Sequence, residues 1–188
     1  MNCKDIEVKN EALFKFKNRK RLLQDEEFFD SSQKVYLIIK RLIGFILSFF
    51  LILIFSPFFV IISFLIFFTS KGPVFFIQDR VGKNEKLIKI YKFRTMNISA
   101  PRSIASLDLQ NVDSHLTKVG KFLRVTSIDE LPQLINVLKG DMSLIGPRPI
   151  IPEEVEVHEL RKKNNVYLIR PGITGLAQVN GRDFLDPE

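Results

Sequence analysis

The chain has 188 residues, enough for one modest domain, with a formal net charge of +7 and a pI of about 9.5. That balance predicts an anionic partner: phosphate, nucleic acid or a lipid headgroup surface. Cys3 is the only cysteine, so no intramolecular disulfide forms, and no nucleophile or metal motif surrounds it. His115 and His158 lie outside any ligand spacing, which argues against a zinc site.

Residues 1–33 are polar and of mixed charge, compatible with a surface or interfacial helix or a partly disordered extension, and carry no recognisable chemistry. From Leu42 to Phe68 the chain reads LIGFILSFFLILIFSPFFVIISFLIFF, without one charged side chain. A run of this composition is favourable in lipid by about −10 kcal/mol. It begins too far along to be an ordinary cleaved signal peptide. Ser56 and Pro57 divide it. Proline removes a backbone donor and frees a carbonyl, and the serine beside it can offer a hydroxyl at depth. On the proline alone, a mildly kinked spanning helix is the simpler reading. The flanks favour another: Lys34, Lys40 and Arg41 precede the run, while Lys71, Arg80, Lys83, Lys86, Lys89, Lys92 and Arg94 follow it. Both sides therefore carry the cytoplasmic signature, as expected for a re-entrant helix-bend-helix hairpin.

Two extended runs follow, near Val74–Arg80 and Leu87–Phe93, joined by the turn-rich VGKNEK, and a β-hairpin is expected. The stretch NISAPRSIASLDLQNVDSH is loop-like, a surface connection or a mobile loop beside substrate. Nothing marks a repeat or a second domain. Leu131, Leu134, Ile135 and Leu138 then recur at helical spacing, with Lys139-Gly140 as the stop.

Asp129 and Glu130 stand at the start of this helix in RVTSIDELPQL. Ser127 followed by Glu130 fits a capping box, and Asp129 could cap ahead of Pro132, so capping alone accounts for both acids. The same place favours the ionised carboxylate, the form a nucleophile requires. Attack on phosphorus would also need positive charge, from a divalent metal or from arginines such as Arg124 and Arg148 of GPRP. GPRP and PGITG lack the P-loop spacing, so nucleoside triphosphate hydrolysis is not indicated.

KGPVFFIQDRVG, IKIYKFRTM, SIDELPQLINVLKGDMSLIGPRP and IRPGITGLAQVNGRD, in this order behind a Ser-Pro-divided apolar run, resemble the bacterial sugar transferases, in particular the monotopic phosphoglycosyl transferases. The resemblance covers about Lys34 to Asp183. It implies a single-domain α+β monotopic membrane protein, with a re-entrant segment at about 42–68, interfacial amphipathic helices, a small β-hairpin, and a catalytic part at about 71–188. The domain runs over 34–188 behind the extension. The implied reaction transfers a sugar 1-phosphate from a UDP-sugar to a polyprenyl (undecaprenyl) phosphate, with release of UMP and Mg²⁺ as cofactor. Asp129 would be the covalent nucleophile and a metal contact, and Glu130 its partner. Lys92, Arg124, Arg148 and Arg182 would hold phosphate groups, and Ser56 and Pro57 would form the membrane bend. The implied location is the bacterial inner membrane, catalytic part facing the cytoplasm. Gly44 stands where the family often has an acid after Lys-Arg, which removes one expected anchoring contact. The family usually continues past NGRD with a further amphipathic stretch, so the chain is read as a short member or an incomplete one. The rival reading is a non-catalytic basic membrane anchor. Nucleic-acid binding has no groove-reading or stacking motif behind it.

Overall fold

The computed structural model describes residues 28–98, 100 and 115–180. Arg182 lies outside them, as do residues 1–27 and most of the loop-like stretch after Asn97. The first element is helix α1, Ser31–Thr69. Its start was not apparent in the sequence. Asp30 accepts from Gln33 N at 2.8 Å while Gln33 Oε1 accepts from Asp30 N at 3.1 Å, a reciprocal capping box. At 39 residues it is long and apolar enough to cross a membrane, and most of its large side chains are exposed. It passes through Ser56 and Pro57 as one helical element. Pro57 has no N–H for the carbonyl of Leu53, and Ser56 Oγ donates to that same oxygen at 2.8 Å.

The hairpin forms as expected, displaced by one residue in its first strand: β1, Phe75–Val81, pairs antiparallel with β2, Leu87–Phe93, in the register Phe75↔Phe93 to Val81↔Leu87. Asn84 and Glu85 take left-handed conformations in the turn between them. Side chains alternate along β2, so Ile88, Ile90 and Lys92 share one face. Ile88 and Ile90 pack with Val137 and Met142. Lys92 continues that face toward the acid pair.

Helix α2, Lys118–Val125, capped by Thr117, lies along the second half of α1, with Leu123, Ile62, Ile66 and Phe93 forming one cluster. A 3₁₀ turn over Ile128–Gln133 leads directly into the short helix α3, Leu134–Lys139, which Gly140 ends at φ 89° as expected. The expected stripe from Leu131 is replaced by Leu134, Asn136 and Val137 as the buried positions of α3. The reason is that α3 lies between β2 and α1 and is covered on two sides. Asn136 is fully buried, donates to Lys89 O at 2.6 Å and accepts from Tyr91 N at 3.2 Å, so its amide completes the outer edge of β2. On the opposite side Gly44 of α1 lets the helix approach Val137, and Arg41 donates to the carbonyls of Val137 and of Leu138, the latter at 2.9 Å. The tie at the mouth of α1 is thus made by an arginine to main-chain oxygens.

Two short strands unannounced by the sequence follow. β3, Ser143–Ile145, pairs in parallel with β4, Gly172–Thr174, across a connection that contains α4, Val155–Lys163, and a 3₁₀ turn at Val166–Leu168; helix α5, Leu176–Val179, closes the described chain. This pairing sets GPRP against PGITG through Gly146 N to Thr174 O at 2.9 Å and Gly172 N to Pro147 O at 2.9 Å. A Cβ on Gly172 would collide with Gly146 N, and one on Gly175 with Gly146 O. Gly172→Ala is therefore expected to destabilise the protein by about 1–3 kcal/mol or more, because the clash is with main chain that cannot step aside. Thermal unfolding in detergent checks this, with melting unchanged from the parent as the contrary result.

Candidate active site

Ser127 enters the 3₁₀ turn at φ 57°, a left-handed conformation uncommon for a residue with a side chain. Its hydroxyl makes no capping bond; Glu130 N donates instead to Ser127 O at 3.2 Å. The capping box expected from Ser127 and Glu130 is thus not formed. The four-residue spacing is right, but the left-handed backbone at Ser127 rules out the extended conformation a cap needs. The acids also precede α3 by a full turn, instead of starting it, and each is only 8% exposed.

Burying two neighbouring carboxylates is costly unless positive charge or hydrogen bonds meet them. Lys92 Nζ lies 2.8 Å from Glu130 Oε1, and Arg148 Nη1 lies 3.5 Å from the same oxygen. The two cations come from β2 and from GPRP and meet on one oxygen of Glu130. Burial pushes the Lys92 ammonium below its ordinary range, Glu130 opposing and Arg148 reinforcing that shift. Asp129 also acts on Lys92 through its charge. Thus the structure gathers Asp129, Glu130, Lys92 and Arg148. Arg124 stands in the last turn of α2, and among the described residues no ion pair joins it to the two acids. Ser56 and Pro57 belong to α1 and lie outside this cluster.

Sequence reasoning treated Arg80 only as part of a basic flank, and it missed Arg161 altogether. Arg80 donates to Pro149 O at 3.3 Å and to Gln78 Oε1 at 2.7 and 3.2 Å. Its pKa is pushed down to about 10, by burial first and then by Arg148. Arg161 of α4 donates to Arg148 O. The only signal for either was its charge, because the bonds that reach GPRP end on main-chain carbonyls, which any residue has.

For a metal, the described residues contain no group of three or more acids, histidines or cysteines.

Residues 35–187 match the sequence model described as bacterial sugar transferase. The chain belongs to the bacterial sugar transferase family. Among its relatives, a Klebsiella pneumoniae protein named UDP-glucose:undecaprenyl-phosphate glucose-1-phosphate transferase is 44% identical over 151 residues, 78% of this chain and 32% of the relative. An Aeromonas hydrophila UDP-N-acetylgalactosamine-undecaprenyl-phosphate N-acetylgalactosaminephosphotransferase is 43% identical, over 77% of this chain and 34% of the relative. The exopolysaccharide production protein ExoY of Rhizobium meliloti is 38% identical, over 70% of this chain and 64% of the relative. The chain thus spans about a third of the length of the first two of these relatives.

Glu130→Gln keeps the shape but removes the charge that Lys92 and Arg148 share. It is expected to cost about 1–3 kcal/mol of folding stability, and less in a Lys92→Met background, where one of the stranded cations is gone. Thermal or chemical unfolding of the four variants in detergent measures the coupling, and strictly additive losses would contradict the shared pair.

Proposed function

We propose that this protein transfers a sugar 1-phosphate from a UDP-sugar to polyprenyl phosphate, most simply undecaprenyl phosphate, by way of an aspartyl-phosphosugar on Asp129. The observation that carries the reading is the convergence of Lys92 and Arg148 on one oxygen beside the buried Asp129-Glu130 pair. The relatives' names support the reaction class: the Klebsiella and Aeromonas proteins are named for UDP-glucose and UDP-N-acetylgalactosamine as donors and for undecaprenyl phosphate as acceptor.

The chemistry proceeds in two displacements at one phosphorus. A carboxylate oxygen of Asp129 attacks the sugar-bearing phosphorus of the diphosphate; the P–O bond to the uridylyl group breaks, and UMP leaves with that electron pair. A phosphate oxygen of the lipid acceptor then attacks the same phosphorus, the acyl phosphate bond breaks, and Asp129 returns as carboxylate. Neither step changes oxidation state. The difficulty is charge, since an anion must approach an anion twice. Lys92 and Arg148 meet it by turning from Glu130 Oε1 toward phosphate oxygens, in a setting where partial burial strengthens such contacts. Glu130 keeps both cations aimed while the site is empty. Arg124 and Arg182 would serve the outer phosphate or the nucleotide. Mg²⁺, held by Asp129 and the diphosphate, would further neutralise the phosphate oxygens. A covalent intermediate lets a water-soluble donor and a membrane-bound acceptor use one small site in turn.

We infer likewise that α1 enters the membrane from one face and returns, with the catalytic part on the cytoplasmic side of the bacterial inner membrane. Three features support this reading. Basic residues flank both ends of the apolar run. Arg41 near its start and Ile66 near its end pack against the same small body. At its middle, Ser56 supplies the donor that Pro57 lacks, which allows departure from a straight helix at depth.

Asp129→Asn is expected to abolish UMP release from a UDP-sugar in the presence of polyprenyl phosphate and to leave membrane association intact. A basic membrane anchor without catalysis predicts that the parent itself releases no UMP. Normal turnover by the variant would remove Asp129 as nucleophile. Tags placed before Lys40 and after Lys71 should report one side of the membrane in accessibility labelling, whereas opposite sides would establish a spanning helix.

A further inference from the structure

The GPRP turn carries Arg148 but is itself a short irregular segment between β3 and α4, and four main-chain contacts hold it. On one side Gly146 N and Pro147 O bond to β4. On the other, two guanidinium groups reach consecutive carbonyls: Arg161 donates to Arg148 O and Arg80 to Pro149 O. A side chain's direction follows from the dihedral angles of its own backbone, so fixing the carbonyl of Arg148 limits where its fork can point. Arg161 is in turn held by the seating of α4. One turn earlier on that helix, buried His158 bonds to Tyr167 OH at 2.8 Å and lies 3.4 Å from Glu85 Oε2 in the β1–β2 turn. The helix is therefore braced against the hairpin that carries Lys92.

We propose that Arg161 is a positioning residue for the diphosphate-binding site: by holding the main chain of Arg148 it aims that guanidinium at the acid pair and at an arriving phosphate. This rests on the function proposed above. Arg80 assists by holding the next carbonyl, Pro149 O, at 3.3 Å. Among the described residues no hydrogen bond or ion pair joins Arg161 to Asp129 or Glu130, and its bond to Arg148 O is the link by which it acts.

The test is a double-mutant cycle on the full chain in detergent or nanodiscs, with UDP binding by calorimetry and UDP-sugar turnover by UMP release. Arg161→Gln should weaken UDP binding and raise KM about tenfold with kcat changed less than about twofold. In an Arg148→Ala background it should change binding by less than about twofold. Arg161→Lys, which keeps a charged donor, should recover part of the loss. A mere loss of folded protein would lower apparent kcat, leave KM alone, and do so equally in both backgrounds. That result, or multiplicative effects on binding, would overturn the inference. UDP binding with this coupling but without turnover would remove the transfer reaction and leave Arg161 as assigned. A parent protein that binds no UDP would overturn both.

Discussion

One carboxylate oxygen, Oε1 of Glu130, is the point at which three separate stretches of the chain bring their charges together. Lys92 is the penultimate residue of a strand, 38 positions earlier in sequence, Arg148 sits in a turn 18 positions later, and both close on it. Exposed ion pairs contribute little, but here the acids and the lysine are mostly withdrawn from water, so any member left alone would bear a desolvation cost that its partners now offset. The constraint therefore runs both ways. The body of the protein must bring β2 and GPRP to the 3₁₀ turn, or the buried charges are stranded.

The acid-bearing turn also needs support from beneath, because six residues of 3₁₀ helix followed by six of α-helix cannot hold a geometry alone. Asn136 secures α3 to the edge of β2, and Arg41 and Arg170 satisfy carbonyls at its C-terminal end, Arg170 through Gly140 O at 2.8 Å. Val137 O also accepts from Gly140 N at 3.1 Å, whereas the last carbonyls of a helix lack the usual donor four residues on. Cations there also suit the negative end of the helix. Arg41 belongs to the apolar helix, so the position of α1 and the position of the acid pair are mechanically joined through one short helix.

Features that depend on local pattern were legible in the sequence. The hairpin followed from two apolar runs about VGKNEK, and the end of α3 from Gly140. The pairing of Ser56 with the carbonyl freed by Pro57 followed from the chemistry of the two neighbours. Features that depend on distant partners were not legible. β3 and β4 have three residues each, too few for a period, and their only trace was the set of close-packed glycines at 146, 172 and 175. Ser127 misled because Ser-x-x-Glu reads as a cap whatever the backbone does. The acid pair itself stood out, yet the local pattern offered capping as a sufficient reason for it. What separates the two readings is burial and the convergence of Lys92 and Arg148, and neither is a property of the stretch that contains the acids.

The placement of charge also bears on how two dissimilar substrates could share so small a site. Lys92 leads directly into the Phe93 contact with Ile62, Ile66 and Leu123, so the cation nearest the acids is one residue from the packing against the apolar helix. On the function proposed above, a lipid-borne phosphate drawn to Lys92 would meet the strand whose other face packs against α1. Arg148 belongs instead to the segment bonded to β4 through Gly146 N and Pro147 O. The two cations thus sit on separate elements, Lys92 on the strand whose next residue packs against the apolar helix and Arg148 in the turn held by α4 and β4.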